Sequence, residues 1–226
     1  MKSSHWKKRE FARRLIDWRE SHNYDAMFPW RQSSDPFVIL TSELLLRKTS
    51  RRQVADIFKN FFKKYPNFQK LSKAELRDIE ATIRPLGMEH RRAPLLRTLA
   101  QRVVHEYGSK IPVSRLELLD LPGVGPYAAN AVLCFCSGKD EPLVDTNFIR
   151  VVERAFSYKS TKNRSRTDSE LWKFARGLIP KRKGRDFNLG ILDFAANICT
   201  SAKPRCSECP MTEICDYYKK QYQKSL

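Results

Sequence analysis

Apolar residues recur at helical spacing along most of the chain. The pattern occurs in six segments: FARRLIDW (11–18), VADIFKNFF (54–62), APLLRTLAQRVV (93–104), AANAVLCF (128–135), FIRVVERAF (148–156) and LWKFARGLI (171–179). A period near 3.6 residues places these side chains on one face of a helix. No segment alternates long enough to predict a strand, and no internal repeat or low-complexity tract occurs. The pattern therefore predicts an all-α fold.

Capping residues mark two of the expected helix starts. Asp35 followed by Pro36 is typical of an N-cap with proline at the first helical position. Ser114 and Glu117 form a capping-box pattern ahead of two leucines. We therefore expect helices to begin at residues 36 and 115.

The balance of charge indicates an anionic partner. The 226 residues carry a formal net charge of +18, and 41% of them are hydrophobic, enough for a real core. Such a charge is self-repulsive unless an anion is bound. Basic residues concentrate at 47–52, 89–97 and 181–185. Each run alone could be a solvated face, and an anionic membrane surface is the competing partner, but three runs favour nucleic acid.

No stretch of the sequence approaches the ~20 consecutive apolar residues of a membrane span. The N-terminal residues MKSSHWKKREFARR lack the apolar run of a secretory signal. We therefore expect a soluble cytoplasmic protein without a membrane partner.

Six cysteines are present, and they fall into two groups. Cys134 and Cys136 lie in an apolar helical segment and are expected to be small core residues. The other four, Cys199, Cys206, Cys209 and Cys215, have the spacing C-x6-C-x2-C-x5-C. In a reducing compartment this pattern favours a metal site over disulfides. Four thiolates suit a [4Fe–4S] cluster or zinc, although structural zinc sites usually show two C-x2-C pairs.

The segment LPGVGPYAANAV, residues 121–132, predicts a tight turn between two helices. Gly123 and Gly125 can adopt positive φ without strain, and Pro126 suits the first turn of the next helix. Backbone N–H groups at that helix start would form an anion site without a basic side chain. An ordinary helix–turn–helix connection is the plainer interpretation.

Two carboxylates are candidates for chemistry. Asp145 is placed to cap the helix that begins near Phe148, where the helix dipole would hold the carboxylate ionised. An ionised carboxylate can stabilise developing positive charge or activate water, but most residues so placed are only caps. Glu43 follows the apolar run FVIL, and desolvation there would raise its pKa and let it donate a proton. The alternative for Glu43 is an exposed pair with Arg47, four residues on.

These motifs carry a family resemblance. Residues 121–156 resemble the helix–hairpin–helix and the following Gly/Pro–Asp loop of the DNA glycosylases related to endonuclease III and MutY. Residues 28–54, beginning FPWR, are similar to the MutY branch. The four C-terminal cysteines have the spacing of the same superfamily. The resemblance covers residues 28–215 and is closest to the MutY-like thymine–DNA mismatch glycosylases.

The resemblance implies an organisation into two lobes. A central helical lobe, 34–140, would contain the helix–hairpin–helix motif. Residues 1–33 and 141–226 would form a second lobe, with a [4Fe–4S] cluster bound by the cysteine loop at 199–215. The protein would act as a monomer on double-stranded DNA that contains a mismatched or deaminated base.

The resemblance also implies where DNA is bound. The backbone at Gly123, Val124 and Gly125 would hold a DNA phosphate, with a monovalent cation at the hairpin. Lys203 and Arg205 of the cysteine loop would face another phosphate. Arg47 and Lys48 lie where relatives have the wedge that fills the gap left by an extruded base. The loop at 85–93 is a second candidate for probing the opposite base.

Site roles follow residue by residue. Asp145 takes the place of the catalytic aspartate, and Glu43 that of the MutY glutamate that protonates the leaving adenine. Relatives with lyase activity have lysine where this chain has Tyr127, and a phenol cannot form a Schiff base. Without the resemblance, Tyr127 would be interpreted as a core aromatic beside Ala131. Tyrosine here is typical of the thymine mismatch glycosylases, whereas MutY usually has serine.

The expected activity is therefore hydrolytic removal of thymine, and of uracil, opposite guanine, without strand cleavage. The chain ends eleven residues after Cys215, whereas MutY continues into a domain that recognises 8-oxoguanine. One alternative is an adenine glycosylase of MutY type that lacks this domain. Another is a non-catalytic DNA-binding module, which the presence of Asp145 disfavours.

Overall fold

The computed structural model describes residues 4–22 and 24–222, and all regular structure in these ranges is helical. The twelve α-helices are α1 (Ser4–Ser21), α2 (Pro36–Leu45), α3 (Arg51–Lys64), α4 (Phe68–Ser72), α5 (Leu76–Ile83), α6 (Glu89–Tyr107), α7 (Arg115–Asp120), α8 (Pro126–Ser137), α9 (Thr146–Phe156), α10 (Ser169–Arg176), α11 (Gly184–Asn197) and α12 (Asp216–Tyr222). The all-α prediction is confirmed. None of the described helices is long and apolar enough to cross a membrane.

The chain divides into two compact units. The terminal unit consists of Met1–Tyr24 and Gly138–Leu226, and the central unit is Asp25–Ser137. Each of the six apolar segments contributes to a helix, but α10 ends at Arg176, before the last three residues of its segment. Gly177 follows there, a residue that favours helix termination.

The central unit is built around α6 and the pair formed by α2 and α8. Helix α6 packs against α4 and α5, and α2 packs against α8. The small residues Ala128, Ala129 and Ala131 of α8 are buried, which allows close approach of a neighbouring helix. Large apolar side chains fill the rest of the core, among them Phe61, Leu40, Leu71, Ile79 and Ile83.

The terminal unit packs α11 against both α1 and α9, and α12 lies on α9. Phe11, Phe148, Phe187 and Phe194 are fully buried at its centre. Because a Cβ atom on Gly190 would lie only 3.2 Å from Leu15, the glycine allows α1 and α11 to approach closely. The unit therefore joins the first helix of the chain to its last third.

The two predicted helix starts have different outcomes. Asp35 caps α2 as expected: its carboxylate accepts from the Phe37 amide at 2.8 Å, with Pro36 at the first position. Helix α7 begins at residue 115 as predicted, but the Ser114 side chain makes no capping hydrogen bond, so the capping box there is wrong. Instead, Arg115 donates to Asn130 of α8, a tertiary contact at this start.

Candidate functional site

The hairpin between α7 and α8 is built on one glycine. Gly123 has φ +73°, and a Cβ atom on it would lie 2.8 Å from a terminal carbon of Leu95. Gly125 has no positive φ and would meet nothing within 4 Å, so the prediction that both glycines are available for the turn reduces to Gly123. The Val124 amide closes the turn on the Leu121 carbonyl at 3.0 Å. The turn therefore requires glycine at position 123.

The start of α8 faces outward at this turn. Gly123 and Pro126 are exposed, while Val124 is buried beneath the turn. The Gly125 carbonyl accepts the first helical bond, from Ala129 at 3.0 Å, and glycine has no side-chain oxygen to cap the helix. An exposed helix N-terminus of this kind suits an external anion.

Arg47 contacts this hairpin directly. Its guanidinium donates to the Gly123 carbonyl, across 76 positions of sequence. Partial burial lowers the pKa of Arg47, and the charge of Glu43 opposes that shift. The structure thus brings Arg47, whose pKa is influenced by the charge of Glu43, into contact with the hairpin at Gly123.

The segment after α2 presents Lys48 to solvent. Lys48 is exposed and has a left-handed backbone, with φ +51°. The next residues lead into α3 through a capping box that the sequence analysis missed, in which Ser50 and Gln53 bond each other's backbone amides. Gln53 also donates to the Pro85 carbonyl at 3.2 Å, which joins this segment to the second candidate loop.

Glu43 and Tyr127 lie on the two packed helices α2 and α8 of the central unit. Glu43 is half-buried, between the buried residues Ser42 and Leu44. Tyr127 is half-buried in the first turn of α8, whereas Ala131 on the same face is fully buried. Tyr127 is therefore not enclosed in the core.

Asp145 caps α9, and both of its carboxylate oxygens accept hydrogen bonds. One accepts from the Phe148 amide at 2.7 Å, and the other from the side-chain amide of Asn147 at 2.8 Å. The side chain is half-buried. These bonds fix the orientation of the carboxylate and leave part of it open to a reactant.

The segment that leads to Asp145 is held by α11. Asn188 is 1% exposed; its side-chain oxygen accepts from the Leu143 amide at 3.0 Å, and its nitrogen donates to the Glu141 carbonyl at 2.8 Å. Asp140 accepts from the Gly184 amide at 2.9 Å. Neither Asn188 nor Asp140 belongs to a motif, and the signal in the sequence is limited to one polar side chain, Asn188, between apolar neighbours.

The four C-terminal cysteines line a single concave space in the terminal unit. Its volume is about 360 Å³ including its open mouth, and apolar side chains such as Phe11, Phe194 and Ile198 form much of the wall. Burial raises the pKa of Cys209 to about 12 and also raises the pKa values of Cys206 and Cys215. Such thiols become ligands when the positive charge of a metal replaces the proton.

The four cysteines place four potential thiolate ligands around one space of the terminal unit. Within residues 4–22 and 24–222, no three Cys, His, Asp or Glu side chains converge closely enough to hold one metal ion.

Helix α9 connects Asp145 to the start of the cysteine loop. Arg150 donates to the carbonyls of Ala195 and Cys199, each at 2.9 Å. Arg154 donates to the Thr200 carbonyl at 2.6 Å, one turn further along the helix. The same helix that begins at Asp145 therefore anchors the loop on which the first cysteine lies.

The rest of the cysteine loop is tied to α1. Arg14 donates to the Pro210 carbonyl at 2.8 Å, and Lys7 pairs with Asp216 at 2.6 Å. Lys203 and Arg205 are exposed on the loop, and Arg205 also borders the cysteine cavity.

The basic runs are not equally available to a partner. Lys181, Arg182 and Lys183 are exposed, but Arg92 of the second run is only 8% exposed. A further exposed basic segment, missed in the sequence analysis, lies between α9 and α10 and comprises Lys159, Lys162, Arg164 and Arg166. This segment has no helical pattern of apolar residues and lies outside the motifs, so no local signal marks it as a binding surface.

Known proteins resemble this chain over nearly its whole length. Residues 41–176 match the HhH-GPD superfamily of base excision DNA repair proteins. The chain is 46% identical over 216 residues to the thymine/uracil-DNA glycosylase of Pyrobaculum aerophilum, covering 94% of this chain and 93% of that protein. It is 45% identical over 208 residues to the thymine-DNA glycosylase of Aeropyrum pernix, covering 91% and 93%. The structure of a thermostable thymine-DNA glycosylase superposes with a TM-score of 0.89 at 41% identity, covering 95% of this chain and 97% of that one.

Proposed function

The chain belongs to the HhH-GPD superfamily of base excision DNA repair proteins, and we propose that it is a DNA glycosylase that removes thymine, and uracil, mispaired with guanine. The observation that carries this function is the similarity to thymine-DNA glycosylases over more than nine-tenths of both chains. In the reaction, the bond between C1′ and the base nitrogen breaks. Water supplies hydroxide to C1′ and a proton to the departing base.

Asp145 is the proposed catalytic carboxylate. As the bond to the base breaks, positive charge develops on the sugar, and a fixed carboxylate nearby stabilises it. The two hydrogen bonds to Asp145 hold it in one orientation, so little reorganisation is needed when charge develops. The same carboxylate can accept a proton from the attacking water.

Glu43 is proposed to contact the extruded base. Its half-buried position on α2 and its charge interaction with Arg47 support a site beside the hairpin. A leaving thymine accepts a proton at a carbonyl oxygen, so Glu43 acts there either as a proton donor or as a hydrogen-bond partner.

We further propose that the enzyme is monofunctional. Tyr127 lies in the first turn of α8, directly after the hairpin, where relatives with lyase activity have a lysine amine. A phenol cannot form a Schiff base with C1′, so the product is an intact strand with an abasic site.

The proposed DNA contacts come from both units. In the central unit, the hairpin backbone at Gly123–Gly125, which is exposed at Gly123, holds a phosphate, and exposed Lys48 is one of two wedge candidates. Exposed Arg47 is the other wedge candidate, and its guanidinium also donates to the Gly123 carbonyl. In the terminal unit, exposed Lys203 and Arg205 are proposed phosphate contacts.

The four cysteines are proposed to hold a [4Fe–4S] cluster. What supports this is the donor set: the four thiols of Cys199, Cys206, Cys209 and Cys215 line one space of the terminal unit, and their spacing resembles that of the family's cluster loop. When bound, the cluster supplies a rigid link between the loop and the helices that it contacts. Purified protein should absorb near ~400 nm because of charge transfer from thiolate to iron. Colourless protein with one zinc ion per chain would contradict the cluster.

A panel of labelled duplexes tests the function. Thymine and uracil opposite guanine, and adenine opposite guanine or 8-oxoguanine, are incubated with the protein and analysed for free base before and after alkali. We expect release of thymine and uracil only, with strand breakage only after alkali. Release of adenine alone would favour the MutY-type alternative, and release of no base with intact binding would favour a non-catalytic module.

A further inference from the structure

Arg92 is a buried cation whose contacts the proposed reaction does not yet explain. It is 8% exposed and lies in the first turns of α6. Among the residues that the structure describes, no carboxylate pairs with it. Its acceptors are four backbone carbonyls and one hydroxyl, contributed by Leu44 at 3.1 Å, Leu45 at 2.8 Å and Gly87 at 3.0 Å, and by the Arg47 carbonyl and Thr49 Oγ1.

Burial of this guanidinium disfavours its charged, protonated form. Desolvation lowers the pKa of Arg92, and the positive charge of Arg47 lowers it further. A neutral apolar side chain would avoid both effects, so the core alone gives no reason for arginine here. The reason lies in the acceptors, because the last carbonyls of α2 have no partner within the helix and form the negative end of its dipole.

Three of the five acceptors belong to two loops that each present an exposed residue in left-handed conformation: the Arg47 and Gly87 carbonyls and Thr49 Oγ1. The other two are the last carbonyls of α2. Lys48, with φ +51°, lies between Arg47 and Thr49, both of which Arg92 contacts. Met88, with φ +57°, follows Gly87, whose carbonyl also accepts from Arg92, and it is 45% exposed. Long side chains hold such backbone only where the surroundings impose it. One guanidinium therefore fixes the backbone beside both tips.

We propose that Arg92 is a positioning residue that holds the Lys48 loop (46–49) and the Met88 loop (87–88) as one preformed unit for base extrusion. The proposal rests on the proposed glycosylase function. Loops that are already ordered need not be ordered when the duplex is opened, so the barrier to extrusion falls. Lysine could not replace this arginine, because a single ammonium cannot span five acceptors that lie at the end of α2 and on two loops.

The test compares Arg92→Lys with Arg77→Lys, an exposed arginine on α5 of the same unit. Amide hydrogen exchange reports order in the two loops. Single-turnover thymine release at saturating enzyme reports the step after binding. In an Asp145→Asn background, 2-aminopurine beside the mismatch reports unstacking without chemistry.

For Arg92→Lys we expect faster amide hydrogen exchange, confined to residues 46–49 and 87–88. The rise in 2-aminopurine fluorescence that reports unstacking should be largely lost. Thymine release should be slowed by roughly tenfold or more, since misplacement of about 1 Å can cost a hundredfold in rate. Affinity for fully paired duplex should change by less than about threefold, because no phosphate contact is removed. Arg77→Lys should match the wild type in every measurement.

Two results for Arg92→Lys would overturn the proposal. One is amide hydrogen exchange in the two loops at the wild-type rate. The other is faster exchange in the loops with base unstacking and thymine release unchanged. If that variant fails to fold, Thr49→Val decides. The Thr49 hydroxyl accepts from Arg92 and also donates to the Arg47 carbonyl at 3.1 Å within its own loop, so order in the 87–88 loop, with which Thr49 forms no hydrogen bond, is the informative readout. Faster exchange at 87–88 together with slower release supports the proposal, whereas a wild-type result, or an effect confined to 46–49, overturns it. Absence of thymine release by the wild type would instead refute the proposed function, while hydrogen exchange would still test Arg92.

Discussion

The N-termini of α9 and α8 provide two main parts of the proposed site, and they differ in how their free backbone N–H groups are capped. At the start of α9, the Asp145 carboxylate accepts from the Phe148 amide, so the protein supplies its own anion. At the start of α8, Gly125 has no side chain and the preceding turn is exposed. A start that is capped from within holds a carboxylate in place for chemistry, whereas one without a side-chain cap is suited to hold an anion from outside.

The largest effect is expected at the capped start. Asp145→Asn preserves the shape of the cap, because asparagine also caps helices, but it removes the charge. Base release should fall by roughly a thousandfold or more, since the stabilising anion and the proton acceptor are both lost. Single-turnover release and duplex affinity should be measured together, with affinity nearly unchanged.

The matched control for that change is Asp168→Asn. Asp168 caps α10 in the same unit and accepts from the Glu170 amide at 3.0 Å. Its replacement should leave base release intact. Undiminished release by Asp145→Asn would remove Asp145 from the mechanism.

The next effect is expected at the open start. In Gly123→Ala the new methyl would lie 2.8 Å from Leu95 in a backbone with φ +73°. Either the turn or the Leu95 side chain must shift, and alanine strains a backbone with positive φ, so duplex affinity should fall by about tenfold, which corresponds to ~1.4 kcal/mol. Equilibrium binding at fixed salt measures it.

Gly108→Ala serves as the control because it has φ +55° and nothing within 4 Å. It carries the same kind of backbone strain away from the hairpin and should bind DNA like the wild type. Equal losses in the two variants would mean that the hairpin does not hold a phosphate.

A smaller effect on base release is expected when the segment that leads to Asp145 loses an anchor. Asn188→Asp keeps the acceptor for the Leu143 amide but loses the donor to the Glu141 carbonyl. Base release should slow by several-fold to tenfold with duplex affinity unchanged, because the segment before Asp145 loses one of its anchors. Asn197→Asp, on the same helix, loses a similar bond to the Asp193 carbonyl and is the control. Equal rates in both variants would contradict this role for Asn188.

The smallest expected effect is a new activity at the open start. In Tyr127→Lys, a primary amine would stand in the first turn of α8, where it can attack C1′. We expect a slow covalent adduct, trapped by borohydride, and some nicking without alkali. A folded variant that binds DNA without forming an adduct would place Tyr127 away from the sugar, and trapping by the wild type would refute monofunctional action.

The helices and their functional motifs were predictable because their signals are local. Helical periodicity in segments such as 148–156 requires only neighbouring residues, and so does the cap formed by Asp35 and Pro36. Local signals also failed at Ser114, where the capping pattern is present but the side chain does not form the bond. There a contact between Arg115 and Asn130 of the next helix is what the structure shows.

What the sequence by itself determined was the all-α class, the place of the hairpin and Asp145, and the grouping of four cysteines near one another. What only the tertiary structure decided was which residues, distant in the sequence, each side chain contacts. In the sequence Arg92 is one basic residue among several, whereas in the folded protein it contacts five acceptors at the end of α2 and on two loops. Arg47 contacts Gly123, 76 positions away in the sequence. Asn188 contacts Leu143, in the segment before Asp145, 45 positions away. Contacts at such separations depend on how helices pack, and no pattern of neighbouring residues encodes that arrangement.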